Sequence, residues 1–283
     1  MCIRDRPYSL HIAFLFGWHM GDANEVFSIH TGGGRVMGTE GIISNIERFR
    51  PGVIYGIPGY TYHLMRTAAG EGRDFSSIKR VIIGAERVPP GLREKIRGFL
   101  EEMGAKDPLV LTTYGFSEQR GGWQECAAEF SGCHTYPDIE VIEIIDPDTG
   151  EVLGEEETGE VVYSAIDWRG TCVLRYRTGD IVEGGMTLEK CEHCGRTVPR
   201  LGTDIKRRSD MKEFKLEKVK GTLVDMNAFF PTLTNIRDID EWQVEIRKKN
   251  NDPYEVDEIV VYVAPKPGSD PVSYTHLTLP TKA

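Results

Sequence analysis

The 283-residue sequence predicts an α/β protein: parallel sheet layers with helices, then an antiparallel β subdomain and a small α+β C-terminal domain. Three observations carry this. Between Thr39 and Leu111, short apolar runs alternate with segments whose apolar residues recur at helical spacing, the pattern of a parallel sheet covered on both faces. After about Tyr136 the chain changes to short alternating strands punctuated by turn residues. Beyond a strongly charged stretch, Lys206 to Lys220, a short apolar helix near Phe229 and a hairpin pairing Trp242–Ile246 with Ile259–Val263 read as a separate unit.

The elements follow in order. From Thr39, residues Ile42, Ile43, Ile46 and Phe49 share one helical face, and the segment stops before Pro51. A strand over Gly52–Gly56 comes next, then a helix around Tyr60 to Ala69 and a strand Arg80–Ile83. Pro89-Pro90 opens a helix with Leu92, Ile96, Phe99 and Leu100 on one face, and Leu109–Leu111 is the following strand. In the antiparallel part, Glu140–Ile145 and Gly159–Tyr163 are strands, with Asp148-Thr149-Gly150 as a turn. Residues 1–6 and 272–283 resemble translated sequencing adapters and are set aside, which leaves a truncated natural stretch. The expected division is a large domain over 7–207, with its β subdomain at about 136–205, and a small truncated domain over 208–271.

Composition excludes several partners. A formal charge of −10 offers no basic stripe for nucleic acid and no polybasic segment for an anionic membrane. The apolar run Ile12–Phe16 is far too short to span a bilayer, so a cytoplasmic protein is expected. In a reducing compartment, the Cys191-x-x-Cys194 pair and the Cys133-His134 doublet point to a metal rather than to disulfides.

Open α/β sheets bind ligands beyond the carboxyl ends of their strands, where helix N-termini also converge. Two loops stand there: Gly84-Ala85-Glu86 after the Val81 strand, and Tyr114-Gly115-Phe116-Ser117-Glu118 after the Leu109 strand. A third motif, Tyr176-Arg177-Thr178-Gly179-Asp180, follows downstream. With these motifs in this order, the sequence resembles the phenylacetate–CoA ligase branch of the adenylate-forming acyl-CoA synthetase superfamily. The resemblance covers nearly all of Pro7 to about Pro267 and includes Phe14 to Gly34.

The resemblance implies ATP- and Mg²⁺-dependent activation of a carboxylic acid, aryl by the branch resembled, to an acyl-adenylate and then a coenzyme A thioester. The acid's carboxylate and the α-phosphate repel, so such a site must position both and neutralise charge. It places Glu118 as the Mg²⁺ ligand, Tyr114 along the adenine with Gly84, Ala85 and Glu86 as the adenine loop, and Asp180 on the ribose hydroxyls. Arg207-Arg208-Ser209-Asp210-Met211 resembles the family's hinge, with Arg208 reaching the ribose and Asp210 as the swivel. This stretch has Arg207 for the usual Gly and one Asp fewer, and a solvated charge cluster is the alternative. Thr112 stands where many relatives carry Asp or Asn near the adenine. Phe16, Trp18 and His19 line an acyl pocket on this reading, or belong to a core. His30-Thr31-Gly32-Gly33-Gly34-Arg35 lacks the Gly-Lys-Ser/Thr ending of a phosphate loop and reads as a tight connection.

Cys191 and Cys194 have the spacing of half a tetrahedral Zn²⁺ site. The resemblance completes a structural set with Cys126 and His134, with Cys133 or His193 as substitutes; ordinary reduced thiols are the alternative, and Cys172 in an apolar strand fits them. The family's phosphate loop and catalytic Lys are absent, so the fragment alone is expected to be inactive. Relatives are often homodimers. Two rival functions remain: adenylation with transfer to another acceptor, and an inactive zinc-stabilised binding protein.

Overall fold

A computed structural model describes residues 2–4, 12–32, 36–166, 173–208, 217–219, 222–224, 229–236, 238–248 and 257–266. The chain divides into two compact units, Met1–Lys206 and Arg207–Ala283.

The first unit begins with β1 (Cys2–Arg4), α1 (Ile12–Ala23), β2 (Ser28–His30), α2 (Thr39–Phe49) and β3 (Val53–Gly56). It continues with α3 (Pro58–Gly70), β4 (Arg80–Gly84), α4 (Pro90–Glu102) and β5 (Leu109–Tyr114). Strands β2, β1, β3, β4 and β5 lie side by side and parallel. The adapter-like residues Cys2–Arg4 take the slot between β2 and β3.

Each helix forms for a local reason. In α2 the three isoleucines at helical spacing, Ile42, Ile43 and Ile46, are fully buried. The helix closes at Arg50, which turns left-handed at φ 47° and donates its amide to the Ile46 carbonyl. Helices α3 and α4 both carry proline in their first turn, where the missing N–H has no intrahelical partner to lose. Leu64, Val81, Ile83, Ile96, Leu100 and Val110 then meet in one core between helices and sheet.

Past β5 the same sheet continues in the other direction. It adds β6 (Trp123–Gln124) and β7 (Cys133–His134). After β8 (Glu140–Ile145), β9 (Gly159–Ala165) and β10 (Tyr176–Val182), the strands β11 (Met186–Thr187) and β12 (Arg200–Leu201) return to it. The result is a nine-stranded mixed sheet, antiparallel from β5 through β6, β7 and β12 to β11. Strands β8, β9 and β10 pair antiparallel in a second, four-stranded sheet with β13 (Ile205–Arg207).

The second unit holds two antiparallel pairs, β14 (Glu217–Val219) with β15 (Thr222–Val224), and β16 (Ile239–Lys248) with β17 (Asp257–Pro265). In the longer hairpin Trp242 faces Val263 and Ile246 faces Ile259. A short helix, α5 (Phe229–Thr234), precedes it, and Leu233 and Ile239 form a small buried cluster against Trp242, Val244 and Val261. No helix among the described residues is long and apolar enough to cross a membrane.

Candidate functional site

Strands β4 and β5 are parallel neighbours, so the loops leaving their carboxyl ends emerge side by side. Gly84 is opposite Thr113, and a Cβ at Gly84 would stand 2.1 Å from the Thr113 carbonyl oxygen, so only glycine fits. The loop turns at Ala85 with φ 74°, and the Glu86 carboxylate accepts the Gly59 amide at 3.3 Å near the start of α3. Arg87, next in the chain, donates two parallel hydrogen bonds to Asp204 at 2.7 and 2.8 Å, a fork geometry that fixes the loop's far side.

The second loop breaks from β5 into a single 3-10 turn, Ser117–Gln119, that carries Glu118. Phe116 anchors it in an aromatic cluster with Tyr114, Trp123 and Tyr163, at centroid distances of 5.2 to 6.0 Å. The third motif reaches the same place through a bulge. Strand β10 pairs regularly with β9 at Tyr176–Arg177 and again at Ile181–Val182, but the register shifts between them. Gly179 takes φ 74°, its amide donates to Glu160, and the Thr178 hydroxyl bridges the Val161 carbonyl and the Asp180 amide. Within the bulge the Thr-Gly-Asp sequence supplies, in order, an internal strap, a left-handed turn and an aimed carboxylate.

The two motifs cross. The Tyr114 hydroxyl donates to Asp180 Oδ2 at 2.8 Å, and the Tyr176 hydroxyl donates to Glu118 Oε1 at 2.8 Å. Each tyrosine holds the acid of the other motif. Gly84, Ala85, Glu86, Tyr114, Gly115, Phe116, Ser117, Glu118 and Asp180 thus lie on two adjacent strand ends and one strand that meets them. Thr112 turns elsewhere: its hydroxyl accepts from Arg93 and its amide donates to Glu125 at 2.6 Å.

Arg93 and Glu125 form an ion pair at 2.8 Å with both side chains fully buried. Glu125 also accepts the amide of Phe130, and the Phe130 ring covers the guanidinium at 4.3 Å. Burial pushes the Glu125 carboxyl up, against the pull of Arg93 and the two backbone amides. Glu129 bonds Arg97 and the Val110 amide beside it. Together these contacts clamp the loop from Glu125 to Ser131 onto α4 and β5.

That loop carries Cys126. Its sulfur, those of Cys191 and Cys194 and a ring nitrogen of His134 lie within 4.8 Å of one another. Cys126 Sγ is 4.0 Å from Cys191 Sγ, and His134 Nε2 is 3.3 Å from Cys194 Sγ. Bond lengths of about 2.3 Å to sulfur and about 2.0 Å to nitrogen would put tetrahedral edges at about 3.8 and 3.5 Å, close to these separations. His134 Nδ1 donates to the Gly132 carbonyl at 3.0 Å, which leaves the Nε2 lone pair facing the sulfurs. Burial lowers the His134 pKa and so favours the neutral ring a metal needs. Gly195, at φ 74°, closes the Cys191 knuckle by donating its amide to the Cys191 carbonyl at 2.9 Å. Arg200 straps the two ligand loops together through the Ser131 and Glu189 carbonyls.

Cys133 points the other way from its strand neighbour His134: it is fully buried in the core around Trp123 and Tyr163, and burial drives its thiol pKa upward. His193 is exposed. The four candidate ligands gather at the antiparallel end of the large sheet. Trp18 is 55% exposed and stacks on His30 at 5.1 Å, and His19 is exposed as well. Arg208 is partly buried at the start of the second unit. Cys172, Asp210 and the side chain of Phe16 lie outside the described residues. Arg93, Glu125 and Arg200 carried no sequence signal, while Tyr176 could have been found from its place in the third motif.

Known proteins resemble this chain in sequence and in fold. A phenylacetate-coenzyme A ligase of Thermus thermophilus is 34% identical over 177 residues, which are 61% of this chain and 38% of that protein. The corresponding ligase of Pseudomonas putida is 31% identical, again over 61% of this chain and 38% of its own length. The chain therefore spans about two fifths of the curated relatives it matches. Among solved structures, a 2-hydroxyisobutyryl-CoA ligase in the postadenylation state with 2-HIB-AMP aligns with a TM-score of 0.74 at 21% identity, over 93% of this chain and 54% of that one. An amide bond synthetase from Marinactinospora thermotolerans aligns with a TM-score of 0.56 at 19% identity, over 95% and 52%. At such identities the likeness is one of fold. The family model described as AMP-binding enzyme matches residues 10–168, more than half of the sequence, and the chain belongs to that family.

Proposed function

We propose that this chain forms the nucleotide-handling face of a ligase that uses ATP to convert a carboxylic acid, aryl in class, to an acyl-adenylate and then to a coenzyme A thioester. The observation that carries the reading is the crossing of the two motifs, Tyr114 on Asp180 and Tyr176 on Glu118, which gathers two carboxylates beside the adenine-type loop at adjacent strand ends. On this reading Asp180 accepts from the ribose hydroxyls, Tyr114 lies along the adenine, and Gly84, Ala85 and Glu86 border it. Arg208 and Asp210 belong to the hinge on this reading.

Glu118 fits a Mg²⁺ role because Tyr176 engages only one of its oxygens on a partly exposed carboxylate. Mg²⁺ bound there would neutralise charge between the attacking carboxylate and the α-phosphate. Cys126, His134, Cys191 and Cys194 fit Zn²⁺ by donor chemistry and spacing. Four protein ligands leave no open position, so the metal's role is structural.

The named function of the curated relatives supports coenzyme A as acceptor, while the amide-forming fold relative keeps an amine acceptor as the second reading. The test is ATP–pyrophosphate exchange by protein expressed from the full open reading frame, against aryl and aliphatic acids, with and without coenzyme A. Exchange with one acid class and thioester release is expected. Absence of exchange with every acid, from folded and metal-loaded protein, would overturn the reading; exchange without thioester would move the acceptor.

A further inference from the structure

Tyr176 stands at the start of β10, four residues before Asp180. It crosses to the other motif and donates to Glu118 Oε1 at 2.8 Å. The ring beneath is held on two sides. It stacks on Phe116 at 6.3 Å with an interplanar angle of 26°, and its backbone pairs with Tyr163 in β9. Phe116 in turn packs edge-on against Tyr163 at 5.2 Å and against Trp123, which is fully buried. The phenol oxygen is therefore placed by the core.

Glu118 has no such support of its own. It sits on a three-residue 3-10 turn whose closing residue, Arg120, is left-handed at φ 56°. A glutamate on so short a turn has three rotatable side-chain bonds and samples several rotamers unless something fixes its end. We propose that Tyr176 is a positioning residue: its hydroxyl fixes the Glu118 carboxylate in the orientation that a phosphate-bound Mg²⁺ requires. This rests on the reading of Glu118 as the Mg²⁺ ligand. On this assignment Tyr176 acts through Glu118.

The test is pyrophosphate exchange by the full-frame protein as Mg²⁺ is titrated, with ATP and acid saturating, for the parent, Tyr176→Phe, Glu118→Gln and the double variant. Tyr176→Phe keeps the ring on Phe116 and removes one oxygen. It should raise the Mg²⁺ concentration for half-maximal exchange about tenfold, the worth of one hydrogen bond to a charged group, with little change in rate at saturating Mg²⁺. In the Glu118→Gln background the same substitution should add less than about twofold, because both act on one ligand. If Glu118→Gln is impaired but Tyr176→Phe has the parent's Mg²⁺ dependence, the positioning role is overturned and the Mg²⁺ assignment stands. If Glu118→Gln itself has the parent's dependence, the Mg²⁺ assignment fails first. A Tyr176→Phe defect equal at all Mg²⁺ concentrations would also overturn the proposal, since a merely structural role would act that way.

Discussion

Replacing Glu125 by glutamine is expected to destabilise the first unit severely. The side chains of Arg93 and Glu125 are both fully buried, so the variant leaves a guanidinium in the core without a counter-charge. Breaking a buried pair in this way costs about 3–5 kcal/mol. The carboxylate also accepts the Thr112 amide through Oε2 and the Phe130 amide through Oε1. A glutamine can serve only one of them, and the orphaned N–H adds about 1–3 kcal/mol. The sum, about 4–8 kcal/mol, is comparable with the whole stability of an ordinary domain, about 5–15 kcal/mol. The assay is urea unfolding followed by circular dichroism, with metal content measured alongside, because Cys126 adjoins Glu125. The decisive comparison is the double variant Glu125→Gln with Arg93→Met, which removes the stranded charge and should regain at least about 2 kcal/mol over Glu125→Gln alone. A single variant within about 1 kcal/mol of the parent would refute the reasoning, and a double variant no better than the single would show that the unpaired charge is not the cause.

Asp180→Ala should weaken ATP binding by about tenfold or more, since a charge-assisted ribose contact is lost; calorimetry showing unchanged affinity would remove that assignment. Cys191→Ser should abolish stoichiometric metal and lower Tm together, each tenfold loss of metal affinity being worth about 1.4 kcal/mol and about 3–6 °C for a unit of this size; loss of metal with unchanged melting would deny it a structural role. Gly179→Ala forces a Cβ into φ 74°, at a cost of about 1–2 kcal/mol, and should impair nucleotide binding with it; a variant as stable as the parent would mean the bulge relaxes freely. Ser76 and Arg50 hold the Asp74 carboxyl at about 2, below its ordinary 3.8. Its contribution is therefore fully present above about 3.8 and lost as pH falls through about 2. Stability measured over that window should fall less steeply for Asp74→Asn than for the parent, and identical slopes would refute the shift.

The alternation of helices and strands from Thr39 to Tyr114 was legible because it is a local property. Ile42, Ile43 and Ile46 share one helical face whatever lies opposite, and Pro90 marks a helix start by what it lacks. The long hairpin of the second unit was legible for the same reason, its apolar alternation matching Trp242 with Val263. The continuation of the parallel sheet into antiparallel strands was not. Strands β6, β7, β11 and β12 are two residues each, too short for any periodicity to show.

The candidate site divides along the same line. Sequence by itself determined the candidates: a Cys-x-x-Cys knuckle, a Cys-His doublet, and two motifs each ending in an acid. Only the tertiary structure decided what they face. His134 reaches Cys194, 60 residues away, because β12 pairs with β7, and Cys133 is excluded because alternation along that strand turns it into the core. Tyr176 finds Glu118 across 58 residues, and Arg93 finds Glu125 across 32. Such pairs leave no periodic trace, because their geometry is set by strand register and core packing, which depend on the whole folded unit.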